Sequence, residues 1–573
     1  MKIFYKFLAV ILACLTAFSI VGCGNVSEGD DSKSILYVRY YNAGFRDRWL
    51  TAVEKRFEKD YENVSFEEGK MGVDIVIDPS TSSDFMSEMQ TQRSHVYFIE
   101  KFDMLSFRTA GVMADITDAL TTPLNQSYGK DSTGEPLPAF AGETKSIVEK
   151  MSKQEKEYYV RKENGVDKVY AVPYLDCYNG TMTYNEDLFE ERAFFFKADN
   201  TIGATKLPGK ATTVTLGVGP DGVSGTGDDG LPRTHAEFFE LCKKINKIST
   251  ITPFVWAGNY SNYVTELANN VFLASAGESF INDMLNGTGS VPDAITSEIV
   301  KTSNSYNYST KEESFTDAGF NDIYKSASLF RATDFIYQII KNNWYDVDNG
   351  FNSAYSHETA QADFFFGSEN GDMDYAFLVD GTWWYNEAER YISLYEKHVA
   401  DRNTRNVKYF PIPKADEATF ERTKGENVVS SSYITGIAVK NDITSTKKLL
   451  AETFIRYYCT DESLAEFNTI VSTPRGLKYS LNEDQYEALS PYGKSLYDIK
   501  SASNGFENYK VCYLRSNSRF YNENVTSFSK GFMASEPTGF SSFTAIAPAY
   551  KDNSNLTPIK YFQGILKKHN VTI

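Results

Sequence analysis

The chain is poor in histidine and cysteine, with five and six, and has no long apolar run beyond its N-terminus. Each shortage excludes something. No G-x-S-x-G elbow, no G-x-x-x-x-G-K-[ST] loop and no recognisable nucleophile–base pair occurs, so acyl transfer and P-loop chemistry have no support. His357-Glu358-Thr359-Ala360-Gln361 begins like a zinc-protease motif but ends in glutamine where a second histidine ligand is needed. The cysteines form no C-x-x-C pair, which argues against a zinc site or a disulfide framework. No later stretch approaches about 18 apolar residues, so nothing beyond the leader is expected to cross a bilayer. Basic residues are also short, 58 Lys and Arg against 76 Asp and Glu, for a net charge of −18. Such a surface repels nucleic acid and anionic headgroups. Glycoside hydrolysis needs only two close carboxylates, and among so many acids it stays open.

What is abundant is aromatic: 38 Tyr and 40 Phe in 573 residues, enough for a large core over two or more domains. Tryptophan is scarce, yet two of the five stand side by side in DGTWWYNEAER, Asp380 to Arg390. Adjacent residues point about 100° apart on a helix and to opposite faces of a strand, so one core does not easily take both rings. The expectation is that one tryptophan holds its lobe together and the other faces a ligand.

The N-terminus carries Lys2 and Lys6, an apolar run from Phe7 to Val21, and then Gly22-Cys23. A basic start, a short apolar stretch and small residues describe an export signal. Ile20-Val21-Gly22-Cys23 resembles a bacterial lipobox, which implies cleavage before Cys23 and attachment of lipid (diacylglycerol, palmitate) to its sulfur. Without residues 1–22 the chain keeps 56 basic and 76 acidic residues, a charge of −20. Cys177, Cys242, Cys459 and Cys512 are expected to be buried thiols, with one disulfide possible.

Residues 23–34 read as a polar tether. Ile35 to Tyr41 is β-branched and aromatic, a first strand; Phe45, Trp49, Val53 and Phe57 then recur every four residues, a helix. Further strands alternate with helices, the pattern of a mostly parallel α/β sheet. The stretch from Thr444 to Phe467 opens on capping residues and carries Leu450, Phe454 and Tyr457 on one stripe. Gly217-Val218-Gly219-Pro220-Asp221-Gly222 matches G-x-G-x-x-G, but irregular loop rather than a helix follows, so no dinucleotide site is expected. Asp221, Asp228 and Asp229 lack the spacing of an EF-hand loop, and a solvated turn outweighs a calcium site. Three aromatic clusters stand at strand ends beside small or polar residues: Tyr41-Asn42, Trp256 with Gly258, and Asp380 with Trp383 and Trp384. Sugars offer apolar C–H faces rimmed by hydroxyls, and such clusters suit them.

In order along the chain, the lipobox, YAVPYLDCYNGTMTYNEDLFEE, GDMDYAFLVDGTWWYNEAE, KYFPIPKADEA and LLAETFIRYYCTDESL resemble the family 1 extracellular solute-binding proteins of bacterial carbohydrate ABC transporters. The resemblance covers about residues 35 to 480 and implies a two-lobe α/β (type II) periplasmic-binding-protein fold with a ligand cleft between lobes. It implies a signal at 1–22, a first lobe of 35–176 plus 407–440, and a second of 177–406 plus 441–573, with Tyr170–Tyr184 as the first crossing. It implies a plate under a sugar at Trp383, and at Trp384 by adjacency. The expected ligand-binding residues are Tyr41, Asn42, Asp176, Tyr178, Trp256, Asp380, Trp383, Trp384 and Tyr433, with Arg475 beside the mouth. The expected protein is a monomer without cofactor or metal, held by lipid on the outer face of the cytoplasmic membrane. It would capture a carbohydrate, an oligosaccharide by preference, for permease subunits. A surface glycoside hydrolase and a peptide- or metabolite-binding lipoprotein of the same fold are the alternatives.

Overall fold

The computed structural model describes residues 28–573 apart from 43, 83, 101, 176, 207–214, 261, 287–288, 304, 316, 368–372, 399–404, 428, 434, 501–510, 513–542 and 544. Cys23 and Asp176 lie outside the described residues, and so do the side chains of Cys177 and Tyr433.

The strand Ser34–Tyr41 buries Ile35, Leu36, Val38 and Tyr40, and pairs in parallel with Val73–Ser80 and Val96–Ile99. The helix Arg48–Asp60 places Trp49, Leu50, Val53 and Phe57 in the same core, and the Trp49 ring meets Phe98 edge-on at 5.2 Å. Gly436–Val439 and then Ala171–Val172 complete a five-stranded sheet, both antiparallel to their neighbours. This sheet and its apolar cluster form the first lobe.

The second lobe is built on a four-stranded sheet ordered Ile251–Trp256, Asp374–Asp380, Thr181–Asn185 and Val407–Phe410. The first two strands are parallel and the others antiparallel. Helical segments Asn262–Asn286 and Ala327–Lys341 belong to its core, and the C-terminal helices Ile546–Asp552 and Pro558–Lys568 add Ile546, Tyr550, Phe562 and Ile565 to it. The chain crosses to the second lobe after Val172, returns before Gly436, and crosses a third time between Leu477 and Tyr492. The short strand Cys177–Tyr178 pairs antiparallel with Val429–Tyr433, so the first two crossings are hydrogen-bonded to each other.

Two expected boundaries differ from this arrangement. The return to the first lobe was placed at Val407, but Val407–Phe410 pairs with Met182–Asn185 in the second sheet, where Phe410 packs on Tyr184 and Phe377. The chain regains the first sheet at Gly436. The resemblance implies that the helix after Thr444 belongs to the second lobe; Thr444 does cap it, yet its buried stripe of Leu450, Phe454 and Tyr457 joins the first core. Arg456 fixes that choice. Its buried guanidinium donates to the carbonyls of Ala119 at 2.7 Å, Thr122 at 2.8 Å and Pro123 at 2.9 Å. A buried charge is tolerated where such acceptors converge on it.

Cys242 and Cys459 are free, buried thiols. Among the described residues no helix is long and apolar enough to cross a membrane.

Candidate ligand site at the lobe junction

At the end of Asp374–Asp380 the chain makes a tight turn before the short helix Trp384–Glu387. The Gly381 N–H donates to Asp380 Oδ1 at 2.7 Å, and the Trp384 N–H to the Gly381 carbonyl at 3.1 Å. A Cβ at Gly381 would stand 2.2 Å from the Trp383 ring, so glycine is what lets the indole lie over the turn.

The two tryptophans part company here. Trp384 is fully buried: its Nε1 donates to Thr183 Oγ1 at 3.0 Å, and its ring meets Phe364 and Tyr492 edge-on. Trp383 is half-buried and packs against the apolar clusters of both lobes. One ring belongs to the second lobe, and its neighbour sits at the junction.

The first lobe meets this turn through the loop after its first strand. Asn386 Nδ2 donates to the Gly44 carbonyl, and Arg48 pairs with Glu389 at 2.6 Å. Tyr41 and Asn42 immediately precede that loop; Tyr41 is half-buried on the first core, and Asn42 is exposed, its N–H donating to the Ser80 carbonyl at 3.0 Å. Tyr178 is buried beside the turn: the Thr382 N–H donates to the Tyr178 carbonyl at 2.8 Å, and the Tyr178 N–H donates to Thr382 Oγ1 at 3.2 Å. The turn thus draws together Asp380, Trp383 and Tyr178, and it meets the first lobe at Gly44, two residues beyond Asn42.

Three other expected residues serve packing. Trp256 is buried, stacked on Tyr345 at 5.0 Å, with Nε1 donating to the Gly350 carbonyl at 2.6 Å. Trp384 is a core residue, as above. Arg475 is fully buried, donating to the carbonyls of Tyr174 at 2.8 Å and Tyr458 at 2.7 Å, with its guanidinium 3.5 Å from the Tyr458 ring centre. These are structural roles, and burial gives them no face toward a ligand in this arrangement.

The sequence did not single out Gln361 or Glu387. Gln361, the residue that spoils the zinc motif, is fully buried, and its Nε2 donates to Asp380 Oδ2 and to Glu387 Oε2, each at 3.0 Å. Burial first, and then the Glu387 carboxylate, push the Asp380 pKa up; burial likewise raises that of Glu387. Asp380 and Glu387 stand seven positions apart with six residues between them, and no motif marks the pair; only the turn brings them together.

A cavity of 990 Å³ lies elsewhere, on the flank of the second lobe, lined among others by Phe196, Glu237, Tyr306 and Arg331. It contains none of the expected site residues. Among the described residues no group of three or more His, Cys, Asp or Glu is placed to hold a metal ion. In the Gly/Asp loop, Asp228 is instead bonded within the protein, accepting from Thr226 Oγ1 at 2.7 Å and the Asp221 N–H at 3.1 Å.

Residues 64–490 match the model of a family described as bacterial extracellular solute-binding protein. No curated protein sequence matches. Among solved structures, the mannobiose complex of BlMnBP1, binding protein of an ABC transporter from Bifidobacterium animalis subsp. lactis, is similar at 12% identity and TM-score 0.51, covering 94% of each chain. A chitin oligosaccharide binding protein is similar at 15% identity and TM-score 0.50, over 94% of this chain and 98% of that one. Apo RafE from Streptococcus pneumoniae is similar at 15% identity and TM-score 0.50, over 95% and 98%. At such identities the likeness is one of fold, the two-lobe α/β architecture.

Proposed function

Because this chain belongs to the bacterial extracellular solute-binding proteins, we propose that it is an exported lipoprotein, anchored at Cys23, that captures a carbohydrate between its lobes for an ABC permease. The observation that carries the reading is Trp383: a half-buried indole in contact with both apolar clusters, on a turn edged by hydrogen-bonding groups. An aromatic plate beside carboxylates and amides suits a sugar's C–H face and its hydroxyls. Similar structures with mannobiose and chitin oligosaccharide in their descriptions favour an oligosaccharide. Tyr41, Asn42 and Trp383 would touch the ligand directly, with Asp380 holding the turn behind them and Asp176, Tyr178 and Tyr433 contributing from the crossings. No covalent step is required: ligand binding shifts an open–closed equilibrium, and the closed form presents a face to the permease.

Calorimetric titration of the chain from residue 24 onward against mono- and oligosaccharides tests this, with the sugars analysed afterwards. Saturable one-to-one binding with sugar recovered intact is the expected outcome. Cleaved sugar, or folded protein that binds none of the panel, overturns it.

A further inference from the structure

Gln361 is fully buried and reaches two carboxylates with one amide nitrogen, at 3.0 Å each. Its Oε1 is also buried and has no hydrogen-bond partner among the described residues. The amide carries no charge, so it bonds one oxygen of each acid without neutralising either. Two carboxylates bonded to one nitrogen, Asp380 buried and Glu387 half-buried, do not readily both ionise.

The pair is also where the lobes meet. Asp380 and Glu387 belong to the second lobe, but the covering backbone belongs to the first: a Cβ at Gly44 would lie 2.5 Å from Glu387 Oε1, and Asn386 bonds the Gly44 carbonyl. Other groups face the pair from every side. Arg46 approaches from the first-lobe loop, His357 and Glu358 from the start of the helix carrying Gln361, and the Tyr263 hydroxyl bonds Asp380 from the helical segment Asn262–Asn286. The Arg48–Glu389 pair lies one turn beyond. No cation bonds either carboxylate in the described structure; Arg46 acts on Glu387 as a nearby charge.

We propose that Asp380, Gln361 and Glu387 form a proton-linked latch between the lobes: closing Gly44 over Glu387 takes up one proton, so acidification favours the closed form. Opening would return Glu387 to water, where its carboxyl ionises in the ordinary range. Closure raises the affinity of the pair for a proton, so the closed form binds more protons than the open one. Its advantage is therefore largest at low pH and declines as pH rises from the ordinary carboxylate range to the raised values of the closed pair. Gln361 is a positioning residue here, and the two carboxyls hold the proton; the latch rests on the two-lobe fold and not on what the cleft binds.

The test needs no ligand. Small-angle scattering of the chain from residue 24 onward gives the radius of gyration at about pH 5 and about pH 8.5, bracketing the window above ordinary carboxylate values. Circular dichroism confirms that each sample is folded. The wild type should contract on acidification. Glu387→Gln, which mimics the protonated acid, should be compact at both values, and Gly44→Val, which blocks the approach, should be expanded at both. A wild type whose radius does not change with pH overturns the latch. So does a folded Glu387→Gln protein that keeps the wild-type contraction.

Discussion

Trp383 and Trp384 are neighbours in sequence and occupy regions built on opposite terms. Around Trp384 every demand is met inside the second lobe: its N–H has Thr183, and its faces have Phe364, Tyr385 and Tyr492. Around Trp383 the contacts are divided between the two lobes, and the nearby polar groups are two acids sharing one amide. The core is closed to further partners. The junction keeps aromatic and hydrogen-bonding surface that a ligand between the lobes can use.

The sharpest way to break this comparison is to exchange the consequences of losing each ring. Trp384→Ala should lower unfolding stability by about 3–5 kcal/mol, the usual cost of emptying a core site of this size, read as a drop in urea midpoint. If Trp384→Ala costs no more than Trp383→Ala, the division between core and junction is wrong.

Acid should act on the two regions with opposite sign. His95, in the first lobe, is buried, and its Nδ1 accepts the Tyr37 N–H at 3.1 Å, which requires the neutral ring; burial pulls its pKa down from 6.5 to about 4. The unfolded chain then binds the extra proton, so stability is present above the unfolded value and is lost as pH falls through that window, by up to about 3 kcal/mol. His95→Gln should flatten the fall in urea midpoint between pH 6.5 and 4, an unchanged slope counting against it. Acidification should thus loosen the cores while it tightens the junction.

Trp383→Ala should leave the urea midpoint nearer the wild type than Trp384→Ala does, while weakening carbohydrate binding by more than about 1 kcal/mol. The smallest effect is expected at the Arg48–Glu389 pair, which spans the lobes but is half exposed at Arg48. Arg48→Ala should change binding and stability by less than about 1 kcal/mol. A larger loss would mean that the rim, not the turn, governs closure.

The sequence showed the elements more clearly than their partners. Ile35 to Tyr41 reads as a strand because β-branched and aromatic residues crowd it, and the four-residue recurrence through Trp49 to Phe57 reads as a helix; both form. The apolar stripe of Ser445–Tyr458 says that the helix packs, not against what; five carbonyls around Arg456 decide that, and they come from a segment some 330 residues away. Val407–Phe410 likewise joins a sheet other than the one the resemblance implies for it. Arg475 is expected beside the mouth of the cleft, whereas carbonyls of Tyr174 and Tyr458 receive it in the interior. The adjacent tryptophans told that one ring had to leave the core, because side-chain direction is local. Gln361 and Glu387 could not be read at all, since their meaning depends on a turn that folds them against Asp380.

The most direct test of the central claim, that the Trp383 ring faces the ligand, is the ratio of dissociation constants between Trp383→Ala and the wild type for a sugar the wild type binds. At 25 °C a loss above about 1 kcal/mol is a ratio above roughly fivefold. The account predicts at least that ratio, with folding intact by circular dichroism. A folded Trp383→Ala protein that binds the sugar as tightly as the wild type would contradict it.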